Sequence, residues 1–336
     1  MARPNAANDV ALRVLECRCE CSGEPTARSY CLLTTLTTDY SFPPMLFDSV
    51  CIVGVGLIGG SFGMALRERG LARHVVGAVR RQETADKALQ MGALDSATTD
   101  LLAAARQADL IFLAPPVGQM KALCEQIAPV VRADAIITDA GSTKEEIVQS
   151  CTKLFGDKAY FVGGHPMAGS ERTGVESSRG NLFENATWVL TPTADSPPPV
   201  VNQLLAMVEA LGAQPLLLNA AAHDQLLAVT SHLPHVTAAA LVHTFAQAQK
   251  QNDVASQLIA SGWRDSTRIA AGSAEMWRDI SLSNAPALTK SLDNLIGELQ
   301  SVRELLSTRD GERLNEWFEQ AALQRRKHGY FPRGGK

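Results

Sequence analysis

The 336-residue chain is expected to fold as an α/β protein, with a doubly wound, mostly parallel sheet followed by an all-helical domain. Two patterns predict this. From Met45 to about residue 215, short apolar runs alternate with helical patterns, the order in which βαβ units build a parallel sheet. Beyond Ala220 the strand signals stop, and amphipathic patterns of helical period continue to about residue 325.

The elements follow in order. Residues 1–44 have mixed polarity, no sustained periodicity and turn residues at Gly23-Glu24-Pro25 and Pro43-Pro44. They are expected to be a disordered extension, or to lie upstream of a true start at Met45. Cys51-Ile52-Val53 ends a buried strand that breaks into Gly54-Val55-Gly56-Leu57-Ile58-Gly59, and a helix follows to a stop at Gly70. Strand, Gly-x-Gly-x-x-Gly and helix together form the phosphate cradle of a dinucleotide-binding, Rossmann-type unit. The first glycine makes the turn, the second lets backbone approach a pyrophosphate, and the third packs helix on strand. The helix N-terminus supplies N–H donors.

The next strand, His74 to Val79, should end about 20 residues on in an acidic residue that hydrogen-bonds the ribose of NAD. Val79 stands there, followed by Arg80 and Arg81. Two guanidiniums suit a 2′-phosphate, so NADP is the expected cofactor, with NAD as second choice. Further strands are expected at Asp109–Ala114, ending at Pro115-Pro116, at Ala135–Thr138, ending at Asp139-Ala140-Gly141-Ser142, and at Tyr160–Val162, followed by a loop carrying Gly163-Gly164-His165. Trp188–Leu190 reads as another strand and Val200–Leu211 as a helix. Ligands sit outside the carboxyl ends of such strands, so these loops should converge on one crevice. Helices are expected at Ala220–Phe245, Ala285–Ser307 and Asp310–Lys327. Several are apolar over a wide face, which predicts a homodimer through this domain. The division is residues 1–44, 45–217 and 218–330.

Composition narrows the partners. The net charge of −4, from 31 basic and 35 acidic side chains, and the lack of a basic stripe argue against nucleic acid. Charge, proline or glycine interrupts each apolar stretch before the roughly 18 residues of a membrane span. Seven cysteines form no even framework, and Cys17, Cys19 and Cys21 lack the partners of a zinc site. No metal is expected, and a reducing cytoplasm is.

The candidate chemistry centres on His165. Histidine is the side chain most readily neutral and basic near neutral pH, and this one lies where a nicotinamide ring should sit. Ser142 could orient a substrate hydroxyl beside the cofactor, and Ser-x-x-Glu also reads as a helix capping box. In the helical part, Ser231-His232-Leu233-Pro234-His235 puts Ser231 and His235 on one face beside a proline-distorted turn. Arg268, in Asp265-Ser266-Thr267-Arg268, suits a carboxylate. Arg264 with Asp265, and Arg278 with Asp279, read as structural ion pairs.

Taken together, Gly164-His165-Pro166-Met167-Ala168-Gly169-Ser170-Glu171, Ser231–His235 and Asp265–Arg268 resemble the prephenate dehydrogenase family, which includes cyclohexadienyl and arogenate dehydrogenases, over about residues 48–330. The resemblance implies a Rossmann domain joined to a helical dimerisation domain. It also implies oxidative decarboxylation of prephenate to 4-hydroxyphenylpyruvate in tyrosine biosynthesis, with arogenate tolerated. By that resemblance His165 deprotonates the ring hydroxyl, Ser142 orients it and Arg268 holds a substrate carboxylate. Ser231, His232 and His235 line the side-chain end of the pocket, Trp277 shapes it, and Glu171 and Asp265 gate it electrostatically. The rival readings are an arogenate dehydrogenase, a 3-hydroxyacid dehydrogenase of similar architecture and a non-enzymatic NADP-binding module. The 3-hydroxyacid enzymes use a lysine base in the helical domain, where this chain has histidine and arginine.

Overall fold

A computed structural model describes residues 45–169 and 172–327. Six parallel strands form the main sheet: β1 (Phe47–Val53), β2 (Ala72–Ala78), β3 (Ser96–Thr98), β4 (Leu110–Leu113), β5 (Ile136–Asp139) and β6 (Tyr160–Phe161). Their spatial order is β3-β2-β1-β4-β5-β6, the doubly wound order with its switch point between β1 and β4. The crossovers are α1 (Leu57–Glu68), α2 (Gln82–Gln90), α3 (Leu101–Gln107), α4 (Val117–Ile127) and α5 (Glu145–Phe155).

The strand sequences alternate between two cores. Val50, Ile52, Leu110 and Phe112 face one side with Phe62, Leu66 and Trp188. Cys51, Val53, Ile111 and Leu113 face the other with Met120, Ile127 and Ile137. Strands buried on both faces read as unbroken apolar runs, which explains why β1 and β4 were legible. Phe62 stacks on Phe112 with ring centroids 3.9 Å apart, and Trp188 packs against both. The short β3 (Ser-Ala-Thr) carries too little apolar signal to have been anticipated.

The sheet ends differently from the expectation. His165 lies not on a loop but in β7 (Gly163–Pro166), which pairs antiparallel with β8 (Thr187–Thr191); β8 runs parallel to β9 (Gln214–Leu217) across α6 (Pro198–Ala210). The departure has a local cause. The Gly164 N–H donates to Oδ1 of Asp139, 3.0 Å away, so a side chain rather than a neighbouring strand takes the ladder bond. Both tandem glycines are needed for the close approach, because a Cβ on Gly164 would sit 2.5 Å from the Asp139 carbonyl oxygen and one on Gly163 2.4 Å from Thr191 Oγ1.

The helical part comprises α7 (Ala220–Leu227), α8 (Leu233–Gln251), α9 (Ser261–Thr267), α10 (Ala274–Ser283), α11 (Ala285–Thr308) and α12 (Gly311–Lys327). A π-helical turn, Ala228–His232, joins α7 to α8. It stands just before Pro234, whose missing N–H and ring displace the ordinary ladder. The stretch Ala220–Gln251 is, by length and composition alone, long and apolar enough to cross a bilayer, contrary to the sequence reading. Its interior placements argue for another use, since His223, Asp224 and His232 are buried within the fold.

Candidate active site

Two features meet at the carboxyl edge of the sheet. The first is a cavity of about 740 Å³ lined by Gly54, Gly56, Arg80, Arg81, Pro115 and Pro116, with Thr84, Lys87, Thr99, Gln119 and Glu176 also contributing. Its floor shows why glycine is required. Gly54 has φ +92°, and a Cβ there would lie 2.8 Å from the backbone of Ala114 and Pro115. A Cβ on Gly56 would meet nothing within 4 Å, which leaves room for a ligand to approach the backbone at the start of α1. Gly59 serves packing, with a Cβ position 2.2 Å from the Gly54 carbonyl oxygen, and Leu57 and Ile58 pack on the core instead of lining the cavity. This donor-rich turn and the adjacent arginines fit a dinucleotide. The further lining residues on α2 and beyond carry no motif.

The second feature is a buried polar network at the junction of the two domains. His165 is 8% exposed, and its Nδ1 shares a 2.9 Å hydrogen bond with Nε2 of His223. His223 Nδ1 donates in turn to Asp224 Oδ1 at 2.7 Å. The same carboxylate accepts the backbone N–H groups of Lys144 and Glu145 at 2.8 and 2.9 Å. Asp224 therefore caps α5 from another domain. Ser142 does not: Lys144 is the N-cap residue, no capping bond comes from its own side chain, and the expected capping box does not form. Ser142 is half-buried in a loop held on both sides. The Gly141 N–H donates to Asp139 at 2.7 Å, and Thr143 Oγ1 hydrogen-bonds Ser283 Oγ at 2.9 Å. Beneath it, the buried Lys144 ammonium pairs with Asp139.

Further along, Asn284 Nδ2 donates to the Asp224 carbonyl at 2.7 Å and contacts His232 Nδ1 at 3.0 Å. His235 Nδ1 donates to the Ser231 carbonyl at 3.2 Å, and its ring stacks on Trp277 at 3.4 Å. His232, His235 and Trp277 lie together, and Ser231 joins them through its backbone carbonyl. Arg268 is exposed, and its charge acts on His235. Asp265 is exposed on α9, and Glu171 lies outside the described residues. Arg278 pairs with Asp279 as expected. Arg264 and Asp265, both exposed, form no such pair among the described residues. His223 and Asp224 carried no motif, so the sequence reading passed over them.

Electrostatics set the protonation states. Burial first, and after it the neighbouring His223, Lys144 and His232, which oppose a second positive charge among them, hold His165 well below the ordinary histidine value. Burial lowers His232 to about 4 despite the Asp224 carboxylate. Burial, and after it the Arg268 charge, lowers His235 against its bond to Ser231. The site offers a buried, oriented imidazole held below the ordinary histidine value; neither His165 nor Ser142 lines the glycine-floored cavity, and Arg268 stands exposed. No group of metal-ligating side chains occurs among the described residues.

Both domains are similar to those of known proteins. The nucleotide-binding domain of prephenate dehydrogenase matches residues 62–217, and the dimerization domain of prephenate dehydrogenase matches residues 219–320. A prephenate dehydrogenase of Bacillus subtilis is 34% identical over 275 residues, covering 82% of this chain and 74% of the relative. The crystal structure of prephenate dehydrogenase from A. aeolicus, in complex with hydroxyphenyl propionate and NAD+, superposes with a TM-score of 0.79 at 32% identity, covering 84% of this chain and 98% of the other. A Synechocystis arogenate dehydrogenase superposes at 0.74 with 34% identity, covering 84% and 100%.

Proposed function

The chain belongs to the prephenate dehydrogenase family, and from that premise we propose how its residues perform the reaction. The enzyme oxidatively decarboxylates prephenate to 4-hydroxyphenylpyruvate in tyrosine biosynthesis. When bound, the nicotinamide cofactor supplies the hydride acceptor. Gly54, Gly56 and the N-terminus of α1 would hold its pyrophosphate, with Pro115 and Pro116 walling the cavity. Arg80 and Arg81 favour a 2′-phosphate, so NADP is the preferred form and NAD the lesser one.

His165 takes the proton of the ring hydroxyl, which Ser142 orients. Arg268 grips a substrate carboxylate, while Ser231, His232 and His235 receive the side-chain end and Trp277 closes it. Glu171 and Asp265 tune entry by charge. The observation that carries this reading is a buried imidazole, hydrogen-bonded to His223 and held below the ordinary histidine value, in β7 where the chain leaves the dinucleotide-binding sheet. The same pocket accommodates arogenate as a secondary substrate, because the two compounds differ by a keto or an ammonium group on the side chain. Residues 45–217 form the cofactor domain and 218–330 the substrate and dimer domain. The buried free thiols of Cys51, Cys124 and Cys151 support a cytoplasmic setting, and the net charge of −4 favours small metabolites over nucleic acid as partners.

The test is the rate of absorbance change at 340 nm with prephenate or arogenate and either cofactor. His165→Asn should retain cofactor binding and lose about 10² to 10⁴ in kcat. Arg268→Ala should mainly raise KM. Wild-type kinetics in both variants would overturn the assignment.

A further inference from the structure

His223 and Asp224 are consecutive residues on α7, 0% and 1% exposed, and neither has a part in the reaction as described. Burying a carboxylate and an imidazole is costly unless both are fully bonded. Here every contact is directional. Asp224 Oδ1 accepts from His223 Nδ1 and from the Lys144 amide, and Oδ2 accepts from the Glu145 amide. An ionised carboxylate can only accept. A neutral His223 must therefore carry its proton on Nδ1, which leaves a lone pair on Nε2. That lone pair meets Nδ1 of His165 at 2.9 Å, so His165 carries its own proton on Nδ1 and presents the lone pair of Nε2 for use elsewhere.

We propose that His223 and Asp224 are positioning residues that lock His165 in its proton-accepting tautomer, so that the base is assembled across the junction between the two domains. This rests on the reading of His165 as the base. Balance makes the lock useful. Hydride departs from C4 with two electrons, and the bond to the departing CO2 leaves its electron pair in the ring. The hydroxyl proton goes to His165 Nε2 and returns to the phenolate oxygen of the product. It is lent rather than released. The groups facing His165 are His223 on α7, Lys144 ahead of α5 and His232 in the π turn, with the Asp224 carboxylate behind His223. The nearer groups disfavour a lasting positive charge, whereas Asp224 offsets it through His223, which suits a proton that must be returned. Because Asp224 also caps α5, one carboxylate orients the imidazole and anchors the helix that follows the Ser142 loop.

Three variants of the full-length chain test this. In His223→Gln the amide oxygen can still accept from Nδ1 of His165, and kcat should stay within about tenfold of wild type. His223→Leu removes the acceptor, and kcat should fall about 10²-fold or more with KM little changed. In Asp224→Asn the amide can donate to His223 Nδ1, which turns the Nε2 proton of His223 toward His165 and inverts the tautomer. The ¹⁵N shifts of His165 in labelled protein should show Nδ1 protonated in wild type and His223→Gln, and Nε2 protonated in Asp224→Asn. Unchanged His165 shifts in both His223→Leu and Asp224→Asn, or a kcat for His223→Gln no higher than for His223→Leu, would overturn the proposal. The NMR measurement does not depend on turnover, so it separates failure of the lock from failure of His165 as the base.

Discussion

At the residue scale, the surroundings of His165 matter more than its identity. Histidine was recognisable in the sequence by its flanking glycines and proline, but nothing local to Gly163-Gly164-His165-Pro166 sets its protonation. Burial does so first, followed by the potentials of His223, Lys144 and His232. The base must be neutral to act, and the neutral form dominates above its lowered pKa. The value of kcat/KM should therefore remain flat as pH falls through 6.5 and decline only at lower pH. A pH profile whose acidic limb is centred at or above 6.5 would contradict this. Arg80 supports a second measurement. Charge-assisted bonds are worth about 1.5 to 3 kcal/mol, so Arg80→Asp should lower the NADP-to-NAD ratio of kcat/KM by about tenfold or more. An unchanged ratio would mean that the arginine is a solvated surface charge.

At the scale of elements, β7 shows how a site is aimed. It leaves the parallel sheet because Asp139 uses its side chain as a ladder partner, and tandem glycines let the backbones close to contact. Gly164→Ala would place a Cβ 2.5 Å from the Asp139 carbonyl oxygen, and since that neighbour is backbone, something must shift. We expect a loss of about 1 to 3 kcal/mol in urea denaturation, typical of overpacking, together with a fall in kcat as His165 is displaced. Wild-type stability and turnover would show that the approach is slack. The turn before Pro234 makes a similar point. Proline announced a distortion, but the backbone resolved it as a π turn that buries His232 beside Asn284.

At the scale of the molecule, the helical domain is unfinished as a monomer. Among the described residues α12 buries none, whereas Ile296, Leu299 and Leu306 on α11 and Phe318 and Leu323 on α12 are 47–59% exposed. Apolar surface of that extent marks an interface, in keeping with the match to a dimerization domain. Leu299→Glu combined with Phe318→Glu should shift the mass in sedimentation from twice the 36.0 kDa chain to the single chain. A stable dimer in that variant would place the contact elsewhere. The sequence by itself determined the fold class, the glycine cradle, the paired arginines and the candidate base, because each is written in residues close together in the chain, where periodicity and turn chemistry act. Tertiary structure alone decided the second sheet, the cap on α5 and the partner of His165. Asp224 stands 80 residues from the amide it caps, and His223 stands 58 from the imidazole it holds. Contacts of that span depend on where packed elements come to rest, and no local pattern encodes them.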